Sequence, residues 1–285
     1  MIIDSHAYCF EAADSLLGYS SVDEHLRWVQ AGQASHYQPA FRVRDRTPGP
    51  SDILAPDGKK GLSDLPDYNF RIDHEAGRVV WTVDGEDYTK HYYPPNLRNC
   101  EFTPDSLISE MDYAGIDATL LHTNPMLGRS NQYQAECARR FPDRLYSMAL
   151  VDEWRIRDDG PTVIRELTTA ITELGLHAIK FNANGYMTSS EPWDDGAYRP
   201  FWEAATSLRV PIFFSLSTGP TGASWDDSSD ARSGYLNEQR ILIRWMERYP
   251  DSVCSITHGL PYRSFLAGNK IVLPDAIWAP FQNPN

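Results

Sequence analysis

The sequence predicts an α/β protein of parallel strands covered by helices, on three observations. From residue 103 onward, short apolar runs alternate with segments whose apolar residues recur at helical spacing, with brief connections between them. The runs are continuously apolar, as in strands buried on both faces. Polar and titratable residues stand at their carboxyl ends, where α/β enzymes keep their chemistry.

Taken in order, Ile2-Ile3 opens a first strand that closes on Asp4-Ser5-His6. Residues 9–102 then break the pattern with Pro, Asp, Gly and aromatics, a long insertion or cap. Inside it, Val79–Val83 and Tyr88–Tyr92 flank Asp84-Gly85, a β-hairpin signal. Thr103-Pro104 starts a helix, as N-cap and first-turn proline, and Gly115 ends it. A strand follows over Ala118–His122, a helix over Gln132–Phe141 and a strand over Leu145–Val151. Gly160-Pro161 opens the clearest helix, with Val163, Leu167, Ile171 and Leu174 on one face and Gly175 behind them. Leu176–Phe181, Val210–Leu216 and Val253–His258 read as strands. Helices are read at Arg199–Leu208 and around Leu242–Tyr249, with Ile271–Leu273 and a short Asp275–Phe281 helix in the tail. The strands number about six, against the eight of a closed (β/α)8 barrel. A doubly wound sheet needs fewer, but no Gly-x-Gly-x-x-Gly follows the first strand, so no dinucleotide site is expected.

Bulk properties narrow the partners. The chain has 285 residues, 41% hydrophobic and 12% aromatic, enough for a sizeable core in one domain spanning 1–285. A net charge of −13 argues against nucleic acid and anionic membranes. No apolar stretch approaches the ~20 residues of a membrane span, and no secretory leader is visible. Cys9, Cys100, Cys137 and Cys254 are scattered, as in reduced thiols of a cytoplasmic protein.

The chemistry is expected at the strand ends: His6, His122, Asp152, Lys180 with Asn182, Ser215 with Ser217, and His258. Neutral imidazole is a common metal ligand, and two residues beyond His6, on the same strand face, stands Tyr8. His258 suits a general acid/base or a ligand; a histidine satisfied by a neighbouring carbonyl is the alternative. Lys180 interrupts an apolar strand, so it anchors a substrate carboxylate, is carbamylated to bridge metals, or pairs with an acid. Asp152-Glu153 ends the third strand as hydrogen-bonding groups or as a helix-start carboxylate pair. His36, Arg42, Arg44 and Arg46 make a basic cluster in an acidic chain, meeting an anionic substrate or water. Ser215 lacks a Gly-x-Ser-x-Gly elbow, which argues against a serine hydrolase.

Together, Ile3-Asp4-Ser5-His6, Met111-Asp112-Tyr113-Ala114-Gly115-Ile116-Asp117 and Thr257-His258-Gly259-Leu260-Pro261 resemble the amidohydrolase-related family of metal-dependent TIM barrels. That family includes decarboxylases of aromatic or muconate-type acids and lactone or amide hydrolases. The resemblance implies a TIM-barrel-like fold with strands seven and eight absent from this chain. It assigns His6 to the first position of a His-x-His metal pair and His258 to the acid/base of the sixth strand, able also to ligate. Tyr8 replaces the second histidine, the fifth strand lacks its histidine, and the aspartate of strand eight has no counterpart. The cofactor implied is one divalent metal, Zn or Mn, or none because most ligands are missing. The expected activity is decarboxylation or hydrolysis of a small carboxylate or lactone, with His258, Lys180, Tyr8 and Asp152 catalytic. Asn182, His122, Ser215 and Arg44 are the expected substrate contacts. The alternatives are a metal-independent lyase, isomerase or cyclase, and an inactive binding protein. Exposed sheet edges favour a homo-oligomer.

Overall fold

The computed structural model describes residues 1–36, 38–50, 52–57, 61–91, 93, 98–183, 192–216 and 229–283. The chain divides into two compact units, Met1–Ser147 and Met148–Asn285.

The first unit opens with strand β1 (Ile3–Ala7) and helix α1 (Val22–Ser35). Ser21 caps α1 by accepting from the Glu24 N–H at 3.1 Å, while the Glu24 carboxylate reaches back to the Ser20 N–H at 3.0 Å. This helix lies inside the stretch that the sequence marks as irregular, and its composition explains why. Its buried face carries His25, Gln30 and Gln33 beside Trp28 and Val29, so no clean apolar stripe appears. Two of these polar residues are met locally: His25 Nδ1 bonds the Ser15 carbonyl at 2.8 Å, and Gln30 Nε2 donates to the Pro66 carbonyl at 2.9 Å, while the Gln33 side-chain amide has no partner among the described residues.

Strands β2 (Ala40–Arg42), β3 (Arg71–Asp73), β4 (Arg78–Val83) and β5 (Glu86–Lys90) form an antiparallel sheet in the order β2-β5-β4-β3. The expected hairpin is β4–β5, with Val83 opposite Glu86 across Asp84-Gly85. Both turn residues have positive φ, 51° and 77°, the primed geometry that matches strand twist. Lys90, almost fully buried, donates from Nζ to the carbonyls of Gln33 and His36 at 2.8 and 3.0 Å. A cation is thereby set on the carbonyl end of α1, where the helix dipole favours it. Trp81, Val29, Ala40 and Leu54 form the core of this layer.

The chain then enters its βα rhythm with α2 (Pro104–Ala114), β6 (Ala118–Leu121), α3 (Asn131–Arg140) and β7 (Leu145–Leu150), the last crossing into the second unit. Thr103 caps α2, and Gly115 ends it at φ 71°, a left-handed turn that glycine adopts without penalty. β1 pairs with β6 in parallel, with a register shift between Asp4 and Ala7. β6 pairs in parallel with the first half of β7.

In the second unit, the far half of β7 pairs in parallel with β8 (Ala178–Asn182), after helix α4 (Ile156–Thr172). Helix α5 (Arg199–Ser207), strand β9 (Ile212–Ser215), helix α6 (Ser229–Arg248) and strand β10 (Cys254–Ile256) complete two further parallel steps. Thus the parallel pairings run β1–β6, β6–β7, β7–β8, β8–β9 and β9–β10. This is the TIM-barrel type of βα repeat that the sequence predicts. The helix marked by Gly160-Pro161 begins slightly earlier, because a short turn from Ile156 joins it across a kink at Asp159. The tail adds a two-stranded ribbon, β11 (Leu266–Ala267) with β12 (Lys270–Ile271), and 3-10 turns over Asp275–Trp278 and Pro280–Gln282. Among the described residues no helix is long and apolar enough to cross a membrane.

Side-chain alternation sorts the second sheet. Phe181 and Phe214 join Trp193, Phe201, Trp202 and Trp245, all fully buried, in one aromatic layer. Trp193 and Trp202 satisfy their indole N–H groups on Glu238 and on the Trp193 carbonyl. Lys180, Asn182, Phe213 and Ser215, one residue out of phase, face the other side.

In the first unit, one position depends on a bare backbone. Gly18 sits at φ 88°, and a Cβ there would lie 2.8 Å from the carbonyl carbon of Arg129. Gly18→Ala is therefore expected to destabilise by about 2–4 kcal/mol, from left-handed strain plus overpacking. Urea unfolding would measure it, and a loss under about 0.5 kcal/mol, the range of a neutral surface change, would refute the reading.

Candidate functional site

In the first unit three strand-end rings gather. The β1 bulge adds a residue between Asp4 and Ala7, and Asp4 Oδ1 accepts the His6 N–H at 2.9 Å. The His6 ring is stacked on that of His122, with centroids 3.9 Å apart and planes 5° from parallel. His6 Nε2 and the Tyr8 hydroxyl lie 2.7 Å apart. His122, buried just beyond β6, places Nε2 2.8 Å from the Ser5 carbonyl oxygen. Of the expected residues, His6, Tyr8 and His122 are thus brought together.

The donor set does not suit a shared cation. Nitrogen lone pairs lie in the ring planes, and two parallel stacked rings have no point common to both planes. Ligation needs lone pairs converging on one ion at about 2.0–2.1 Å. Nε2 of His6 faces Tyr8, and Nε2 of His122 faces a carbonyl. Among the described residues no three His, Cys, Asp or Glu side chains are grouped so as to hold a metal.

The second unit assembles a different set. Asn182 lies opposite Ser215, Phe214 lies opposite Ile256, and the Thr257 N–H donates to the Phe214 carbonyl at 2.7 Å. Register alone therefore brings Asp152-Glu153, Asn182, Ser215 and Thr257-His258 into one row at the carboxyl ends of β7 to β10. Lys180 precedes Asn182 by two residues, on the same face.

Glu153, on the turn after β7, is fully buried. Its Oε1 accepts the backbone N–H of Asn182 at 2.6 Å and Nδ2 of the same residue at 3.0 Å. Its Oε2 has no partner among the described residues. Burial pushes this carboxyl up to about 7, while the Asn182 bonds and the Lys180 charge act in the opposite direction. Lys180 is 1% exposed, and burial pulls its ammonium down to about 8, with Glu153 opposing. A buried acid and a buried amine thus both titrate near neutrality, the range that proton transfer and switchable charge require.

The sequence marks Asp152-Glu153 as a pair and favours the first, and the two carboxylates face different partners. Asp152 is bound to Arg155 at 2.9 Å, and Arg155 also holds Asp159 and Glu166. Glu153 reaches Asn182 instead. The available signal was a pair of adjacent acids at a strand end, whose side chains diverge on any extended or turning backbone. Ser215 Oγ is buried with no partner among the described residues. His258 is exposed and held in the left-handed region at φ 66°. Arg44, in the first unit, is exposed and paired with Glu86 at 3.1 Å. Ser217 lies outside the described residues.

A βα repeat with its titratable residues at the carboxyl ends of the parallel strands defines the class of TIM-barrel-type enzyme folds. The chain belongs to the amidohydrolase family: the Amidohydro_2 family model, described as Amidohydrolase, matches residues 62–271. No curated protein matches the chain. Solved structures similar to it include a probable 2-pyrone-4,6-dicarboxylic acid hydrolase from Acinetobacter baumannii with citric acid bound. It is 19% identical, with 58% of this chain and 50% of that chain covered and a TM-score of 0.40. A 2,6-dihydroxybenzoate decarboxylase from Rhizobium is 20% identical over 53% and 54%, with a TM-score of 0.41. A 5-carboxyvanillate decarboxylase from Novosphingobium aromaticivorans, complexed with manganese and 4-hydroxy-3-methoxy-5-nitrobenzoic acid, is 22% identical over 53% and 47%, with a TM-score of 0.42. The chain spans about half the length of these structures.

Proposed function

We propose that this amidohydrolase-family chain is a hydrolase or decarboxylase of small carboxylate or lactone substrates, with its chemistry at the carboxyl ends of β8 to β10. One observation carries the reading: Lys180, buried beside Glu153, shares a sheet face with Asn182 and Ser215, and His258 ends the next strand.

In this reading the Lys180 ammonium holds the substrate carboxylate or polarises a lactone carbonyl, its attraction strengthened by the low-dielectric surroundings. Glu153 is a positioning residue. It fixes the Asn182 amide, and its negative charge keeps a cation tolerable at Lys180. Asn182 and Ser215 supply hydrogen bonds that orient the substrate. In decarboxylation, His258 delivers its proton to the carbon as the C–C bond electrons return to it and CO2 leaves. In hydrolysis, the same imidazole takes a proton from water as the oxygen attacks the carbonyl, then returns it to the leaving group. Each of these steps is carried by side chains of the chain itself.

The test is a panel of aromatic acids and lactones, with CO2 release and ring opening measured in parallel. Lys180→Met is expected to lower kcat/KM by about 100-fold, the cost of losing a buried charged partner. In the wild type, a charged Lys180 is present below about 8 and is lost as pH rises through that value. KM for a carboxylate substrate should therefore stay flat below pH 8 and rise about tenfold per pH unit above it. Turnover that survives Lys180→Met unchanged would sink the assignment.

A further inference from the structure

A cavity lies in the first unit, on the antiparallel sheet, and its chemistry differs from that of the strand-end row. It has a volume of about 290 Å³ and is lined by Arg42, Arg46, Arg78 and His91, with Phe41 and Val43 as its apolar wall. Three arginines lining one small cavity are unexpected in a chain of net charge −13.

The three arginines are not equivalent. Asp45 clasps Arg42, at 3.0 Å from Nε and 2.8 Å from Nη2, and Asp73 holds Arg78 at 3.0 Å. A guanidinium has five N–H donors, and a carboxylate fork occupies two, so both retain donors for a further acceptor. Arg46 has no carboxylate or other partner among the described residues, which leaves its whole fork and charge available. It also occupies a costly backbone position. The turn is closed by bonds from Arg46 N–H to the Arg42 carbonyl and from Arg42 N–H to the Thr47 carbonyl, both 2.9 Å. Asp45 Oδ1 accepts the Thr47 N–H at 3.0 Å and locks it. This places Arg46 at φ 60°, where Gly or Asn fits with less strain. Beside the arginines, the Phe41 and His91 rings pack on each other, 5.7 Å apart and inclined at 52°, and together give the cavity one aromatic wall against which a flat ring can lie.

We propose that this cavity binds a single-ring aromatic carboxylate, the carboxylate forked by Arg46 with help from Arg42 and Arg78, and the ring held by Phe41 and His91. A guanidinium matches a carboxylate in bidentate geometry, which a lysine at the same place would not reproduce. The volume accommodates one ring and its substituents.

The test is calorimetric titration of the full chain with benzoate, with acetate and inorganic phosphate as ring-free oxyanions. Arg46→Gln is expected to weaken benzoate binding by about tenfold or more, and Arg46→Lys by less, because charge survives without the fork. Acetate and phosphate should bind at least about tenfold more weakly than benzoate, lacking the ring contact. Lys180→Met separates this site from the strand-end row: binding here persists in it, whereas binding at Lys180 alone is lost. The proposal falls if benzoate does not bind, if Arg46→Gln leaves its affinity unchanged, or if only Lys180→Met abolishes it. Acetate or phosphate binding as tightly as benzoate would overturn the aromatic assignment.

Discussion

Glu153→Gln is expected to make the protein more stable at pH 8 and leave it unchanged at pH 4. Burial raises this carboxyl from 4.5 to about 7 in the folded chain. Between those values the folded state binds more protons than the unfolded state, so stability falls as pH rises through the window. The full loss is about 3 kcal/mol, at 1.36 kcal/mol per pH unit of difference. Glutamine keeps the Oε1 acceptor for the Asn182 bonds and carries no charge to desolvate, so its stability should lack this slope. The opposite case is Lys180, whose pKa falls from 10.5 to about 8. There the unfolded state binds more protons, and stability rises with pH across that window. Losing the Glu153 charge should lower the Lys180 value further. The alkaline rise in KM should then begin below pH 8 in the variant, a shift that a purely structural role for Glu153 would not produce. Guanidinium unfolding at pH 4 and 8, with a KM–pH profile, measures both effects. A variant that tracks wild type in both experiments would show that Glu153 is neither desolvated nor coupled to Lys180.

The second large effect belongs to the aromatic layer. Trp202→Ala is expected to cost about 4 kcal/mol, near the upper end for emptying a packed aromatic site. Trp202 is fully buried, with ring centroids 4.6 Å from Phe181, 4.9 Å from Phe201 and 5.4 Å from Trp245. Its indole N–H donates to the Trp193 carbonyl, so truncation also orphans a buried acceptor. Trp202→Phe keeps most of the packing and should cost about half as much, since the void is smaller. Chemical denaturation of both variants checks the ordering; equal losses would mean that the hydrogen bond, not the cavity, dominates.

The contrast between these residues and the motifs that first mark the chain shows where sequence reasoning reaches its end. Thr103-Pro104 and Gly115 bound a helix because capping and left-handed turns are local, and those residues act on their own neighbours. Asp84-Gly85 marks a hairpin for the same reason, though pairing begins at Glu86 rather than Tyr88 because the turn takes only two residues. Helix α1 escapes notice because its buried face is polar, with His25 and Gln30 held by Ser15 and Pro66, partners that no periodicity encodes.

At the strand ends, the order of residues is enough to say which of them stand at the carboxyl tips: His6, His122, Asp152-Glu153, Lys180 with Asn182, Ser215 and His258. Strand alternation and the apolar runs suffice for that. Their partners are set by folding. Register put Asn182 opposite Ser215, and the turn after β7 sent Glu153 to Asn182 while Arg155 took Asp152. The β1 bulge laid His6 flat on His122 and against Tyr8 instead of converging it with other ligands. The Arg42–Thr47 turn left Arg46 unclaimed while Asp45 and Asp73 took its neighbours. Residue identity supplies a group's chemistry, but its charge, partners and accessibility depend on residues distant in the chain, and these become neighbours only on folding.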